Sequence, residues 1–161
     1  MKGSRASWRP CSRAGKNWRP KTRANRLVTG AHRRHLPWPA GRVRYCNGGH
    51  PLPVVVRTDG SLELLREGGT LIGLGGLVPY EEAEIQLRPG DRLYLYSDGV
   101  TEYFSEAGEL FGEQRLFDFL LEARTHPVDQ GVEELMVCLR DFGGGRAPSD
   151  DVSIMGIEFV G

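Results

Sequence analysis

The stretch LRPGDRLYLYSDGVTE, Leu87 to Glu102, decides how the rest of the chain reads. It opens on a turn, Arg88-Pro89-Gly90-Asp91, with Pro and Gly where turn geometry wants them. RLYLYS, Arg92 to Ser97, is apolar and aromatic-rich and reads as a strand. That strand runs straight into Asp98-Gly99. A carboxylate fixed at a strand end, beside a loop that admits water, suits a hard cation that takes oxygen ligands. An Asp-Gly pair is also ordinary turn chemistry. On residue types alone both readings stand.

Upstream, RVRYCN (Arg42 to Asn47) has strand character and GGHPLP breaks it. VVVRT (Val54 to Thr58) and SLELL (Ser61 to Leu65) flank Asp59-Gly60, the pattern of a hairpin. REGGTLIGLGGLVPY is a glycine-rich loop, and EEAEIQL (Glu81 to Leu87) alternates as a strand. Downstream, a helix is expected from Glu113 to about Thr125, where His126-Pro127 ends it. A second, Val128 to Phe142, sets Val132, Leu135, Met136, Leu139 and Phe142 on one face. GGGRAPSDD is a loop, and VSIMGIEFV (Val152 to Val160) is the last strand. Helices lying between antiparallel strands predict an α+β domain of layered sheet and helix.

The 161 residues suffice for about one domain. The formal net charge of zero conceals a split. Residues 1–44 hold 13 Lys and Arg and no acid, whereas the rest holds 8 Lys and Arg against 21 Asp and Glu. Residues 1–40 show no apolar period and are expected to form a basic, disordered tail. A mis-assigned start or a shifted frame in a GC-rich gene would give the same text. The tail's charge and tryptophans would suit non-specific nucleic-acid binding; no specific nucleic-acid ligand is expected. Three scattered cysteines with no CxxC argue against a disulfide framework or a zinc site. No apolar run approaches the ~20 residues of a membrane span, and no secretory signal is recognisable. A cytoplasmic location is the expectation.

Asp150 and Asp151 stand where the glycine-rich loop enters the last strand, the second place a carboxylate meets a strand end. His50, in NGGHP, could act as a ligand or a general acid, or simply bond to backbone. GxSxG, Walker A and CxxC motifs are missing from the sequence.

In order, RVRYCNGGHPLPVVV, LIGLGG, LRPGDRLYLYSDGVTE, GELFGEQRL and SDDVSIMGIEF resemble the C-terminal half of the type 2C (PPM-type) metal-dependent serine/threonine phosphatases. The resemblance is narrower to the bacterial branch typified by stage II sporulation protein E (SpoIIE) and regulators of anti-anti-sigma factors. It covers residues 41–160. It implies part of a β-sandwich of two antiparallel sheets flanked by helices. It also implies a site with two Mn2+ or Mg2+ ions, whose activated water attacks a phosphoserine or phosphothreonine without a phosphoenzyme. By resemblance Asp98 and Asp150 are catalytic metal ligands, and Asp151 is a weaker third. Asn47 and His50 match an NAGH-like motif, with Gly48 in place of the commoner alanine. With Gly99 and Glu102 they would shape the site. The partner implied is a phosphorylated regulator of anti-anti-sigma type, and a dimer is compatible with this reading.

The family's first half carries a strand ending in Gly-Asp, whose aspartate bridges the metals. Residues 1–40 contain no match, and the first Asp of the chain is Asp59. The expectation is therefore a truncated domain of low activity by itself. A non-catalytic module that binds a phosphoprotein is the alternative.

Overall fold

The computed structural model describes residues 41–71 and 79–161. The basic segment 1–40 and most of the LIGLGG stretch lie outside the described residues. Among the described residues six strands form: β1 (Arg42–Tyr45), β2 (Val54–Val56), β3 (Leu62–Leu64), β4 (Ala83–Gln86), β5 (Arg92–Tyr96) and β6 (Ile154–Glu158). Three helices join them: α1 (Asp98–Thr101), α2 (Gly112–Glu122), which ends in a 3-10 turn over Ala123–Thr125, and α3 (Val128–Phe142).

The larger sheet has the order β3-β2-β5-β6, and β1 pairs with β4 in a two-stranded ribbon. Every pairing between these strands is antiparallel. Alternation along β5 sets up two apolar layers, because successive side chains leave a strand on opposite faces. Tyr94 and Tyr96 join Val54 and Val56 of β2 against Leu116 and Leu120 of α2 and Leu135 and Leu139 of α3. Leu93 joins Val55 on the opposite face, where Ile85 of β4 and Val43 and Tyr45 of β1 cover them. The result is ribbon on sheet on helices: one sandwich face and one helical face, as the α+β reading predicts. On the outer face of the ribbon, Arg42 and Arg44 pair with Glu84, at 3.4 and 3.0 Å.

The elements end where local chemistry requires it. β1 stops at Tyr45, short of the expected Asn47, because Asn47 turns back on its own chain. Its Nδ2 donates to the His50 carbonyl at 2.8 Å, and its Oδ1 accepts from the His50 N–H at 2.9 Å. The hairpin after β2 closes at Asp59-Gly60 as expected, with Gly60 at φ +85. Asp59 Oδ1 accepts from both the N–H and the hydroxyl of Ser61 there. His126 is extended, as a residue before proline should be. The carbonyls freed at that helix end need donors. Arg92 supplies them, reaching Ala123 O at 3.1 Å and His126 O at 2.6 Å while pairing with Glu158.

A second cation–anion pair, with its anion buried, lies beside the first at the start of β5. Asp91 is fully buried, and its carboxylate accepts from Arg57 Nη1 at 2.7 Å. The Arg88 and Thr58 N–H groups also donate to it, at 2.9 and 3.1 Å. Arg57 continues to Gln86 O and Glu63. One knot thus ties the β2–β3 hairpin to the turn between β4 and β5.

Candidate active site

Asp98 begins α1, a single helical turn directly after β5, where the sequence suggested only a strand end and a turn. Its Oδ1 accepts from the Gly99 N–H at 3.0 Å, and its carbonyl takes the Glu102 N–H at 2.8 Å. Thr101 Oγ1 adds a bond to that same carbonyl at 3.1 Å. Within this turn Gly99 and Val100 are buried, whereas the Asp98 and Glu102 side chains are exposed.

The loop carrying Asp150 and Asp151 meets this turn. Ser97 joins them: its Oγ donates to Asp151 O at 2.7 Å and accepts from the Ser153 N–H at 2.9 Å. The Ser97 N–H donates to Ser153 O at 3.0 Å. Gly99 packs so closely on the loop that a Cβ there would lie 2.5 Å from Asp151 O. Only glycine permits this approach. Gly99→Ala must push the two acidic loops apart. The expected cost is about 1–3 kcal/mol, read from urea unfolding; an unchanged midpoint would refute the contact. Asp150 Oδ1 accepts from the Asp151 N–H at 2.6 Å, so one carboxylate fixes the next residue's backbone. The loop is tied further along by Tyr103, whose hydroxyl donates to Arg146 O at 3.1 Å.

Asn47 and His50 lie across a cleft of about 690 Å3, opposite Ser97 and Ser153, with Leu95 and Met155 also lining it. Tyr45 stands in its wall. Burial, and then the Glu67 carboxylate that accepts its hydrogen bond, push the Tyr45 phenol up to about 12, so it stays a donor to Glu67.

The structure therefore brings Asp98, Gly99, Asp150 and Asp151 to one rim, with Asn47 and His50 on the cleft that opens beside it. Ser97 was missed by sequence reasoning. Its only signal is its position, a hydroxyl directly before the Asp-Gly pair. Carboxylate oxygens are the right donors in kind for Mn2+ or Mg2+. In number they fall short: among the described residues no three His, Cys, Asp or Glu side chains gather as a metal-binding group. They do not complete a centre for two cations. Among the same residues no helix is long and apolar enough to cross a membrane.

The model of the family described as stage II sporulation protein E matches residues 21–160. That match begins well ahead of β1. Protein IcfG of Synechocystis sp. is 28% identical over 120 residues, which are 73% of this chain and 18% of that protein. The SiaA-PP2C domain of Pseudomonas aeruginosa superposes with a TM-score of 0.65 at 25% identity, over 74% of this chain and 47% of that one. The RsbU and RsbW domains of Rv1364c from Mycobacterium tuberculosis give 0.61 at 25% identity, over 76% and 33%. The chain thus spans about a fifth of that curated relative and less than half of these two solved chains.

Proposed function

The chain belongs to the stage II sporulation protein E (SpoIIE) family of PP2C-type phosphatase domains, and from that premise we propose that it carries the cation-binding C-terminal portion of a protein serine/threonine phosphatase. The boundary of that portion is set near residue 41. In this reading Asp98 and Asp150 hold Mn2+ or Mg2+, with Asp151 as a weaker ligand. A bound divalent cation supplies an activated water and neutralises charge on phosphoryl oxygens. The chain's own residues do the positioning. Ser97 and Gly99 hold the two acidic loops in contact, and Asn47 fixes the backbone that presents His50 to the cleft. The partner is a phosphorylated regulatory protein of anti-anti-sigma type.

One observation carries the proposal: two carboxylate loops, distant in sequence, are clasped through Ser97 at the end of the central strand. A second reading has its own support. The described carboxylates are too few for a cation pair, which favours a non-catalytic module that binds the phosphorylated regulator. Hydrolysis of a generic aryl phosphate by the purified chain, with and without Mn2+, separates the two. Manganese-dependent turnover supports the phosphatase. Tight binding of a phosphorylated regulator with no turnover under saturating Mn2+ favours the module.

A further inference from the structure

The loop that carries Asp150 and Asp151 leaves the end of α3, and its first residues receive the segment that follows α1. A Cβ on Gly143 would lie 2.5 Å from Tyr103 Cε1, and one on Gly144 would run into the Glu106 carboxyl. Glycine at both positions lets the two segments touch. They then exchange hydrogen bonds. The Tyr103 hydroxyl donates to Arg146 O at 3.1 Å, and Arg146 Nη1 donates to Ser105 O at 3.1 Å. Tyr103 is held firmly on its own side. It is buried in the core with Val100, Phe111 and Leu139, and its carbonyl accepts from the Phe111 N–H at 2.8 Å. A ring fixed by burial makes its hydroxyl a fixed point, and that point is used on the loop.

We propose that Tyr103 is a positioning residue for the candidate site: its hydroxyl, with Arg146, sets where Asp150 stands relative to Asp98. The acidic loop is tied at two ends. Ser97 holds the far end at Asp151 and Ser153. Tyr103 and Arg146 hold the near end, and Asp150 lies between the ties. Pro148 lies there too, and its fixed φ lets the near tie act on Asp150 through a stiffened backbone. Tyr103 follows directly on the helical turn that Asp98 opens. One buried side chain therefore links the turn that bears one carboxylate to the loop that bears the other. The consequence for cation binding rests on the phosphatase reading; the tie between the two segments does not.

Tyr103→Phe in the full chain tests it, because it removes one oxygen and keeps the buried ring. Arg146 is exposed, so water takes the hydroxyl's place at its carbonyl. The circular-dichroism melt should stay within a degree or two. Amide hydrogen exchange over residues 144–151 reads the tie. In the wild type the Arg146 N–H bonds to Gly143 O at 3.0 Å and the Asp151 N–H to Asp150 Oδ1 at 2.6 Å. Both are expected to exchange about tenfold faster in the variant, the factor set by one hydrogen bond of ordinary strength, while exchange within α3 is unchanged. The signal of free Mn2+ gives the second readout: the apparent affinity should fall about tenfold, as when a residue that orients a metal ligand is lost. Unchanged exchange over 144–151 overturns the proposal. Faster exchange with Mn2+ retained as in the wild type overturns the positioning role. A wild type that retains no Mn2+ counts against the phosphatase reading alone, and the exchange result then decides on Tyr103.

Discussion

Asp91→Ala is expected to remove about 3–5 kcal/mol of folding stability, read as the shift in a urea unfolding midpoint. The wild-type carboxylate is fully buried and takes three donors: Arg57 and the N–H groups of Arg88 and Thr58. Alanine leaves a partly buried guanidinium with one partner fewer and two backbone donors with none. Against a typical domain stability of about 5–15 kcal/mol, that is a large share. A loss below about 1 kcal/mol would mean that water enters and replaces the carboxylate, and the knot would then not be structural. The same residue sets a pH dependence. Burial alone would raise the Asp91 pKa, but the Arg88 amide and the Arg57 guanidinium outweigh it and hold the carboxyl below its ordinary 3.8. A lowered folded-state pKa contributes stability that is complete above the ordinary value and is lost as pH falls through the folded one. The advantage of wild type over Asp91→Asn should therefore be constant at neutral pH and shrink only below about 3.8.

Asp98→Asn is expected to lower manganese-dependent hydrolysis of an aryl phosphate at least about a hundredfold, the scale of losing one well-placed electrostatic group. The substitution keeps one oxygen and the side chain's shape but removes the charge that a cation needs. Asp98 is exposed, and among the described residues its Oδ1 accepts only from the Gly99 N–H within its own turn. The thermal melt should therefore stay within a degree or two, so the fold and the chemistry separate cleanly. Unchanged turnover would remove Asp98 from the site. If the wild type shows no turnover, the electron-paramagnetic-resonance signal of free Mn2+ gives a second readout. The wild type should reduce that signal and Asp98→Asn should leave it as it is in buffer.

Much of this architecture was legible because periodicity carries it. The alternation of Glu81 to Leu87 and the five-position face of α3 each name their element and its buried side. α1 was not legible. A single turn has no period to read, and it holds here through the Asp98 carbonyl and the burial of Val100 against residues far along the chain. The Arg57–Asp91 knot was hidden for a related reason. Asp91 looks like a turn residue, and nothing local tells that the β2–β3 hairpin closes over it. At the candidate site, Asp98 and Asp150 each stood out as carboxylates at strand ends. Their union through Ser97 depends on β5 pairing with β6, which is a property of the sheet.

That pairing also fixes when the acidic rim can exist. β5 and β6 are separated in the chain by α1, α2 and α3, so closing them together requires the longest loop among the described strand pairings. Loop closure carries an entropic cost, and contacts of long sequence separation form slowly. The β2–β3 hairpin and the α2–α3 pair can gather early from neighbouring residues, but the rim must wait for the last strand. A chain still emerging from the ribosome therefore presents Asp98 on a strand with a bare edge, and the clasp through Ser97 closes only when synthesis has passed Glu158.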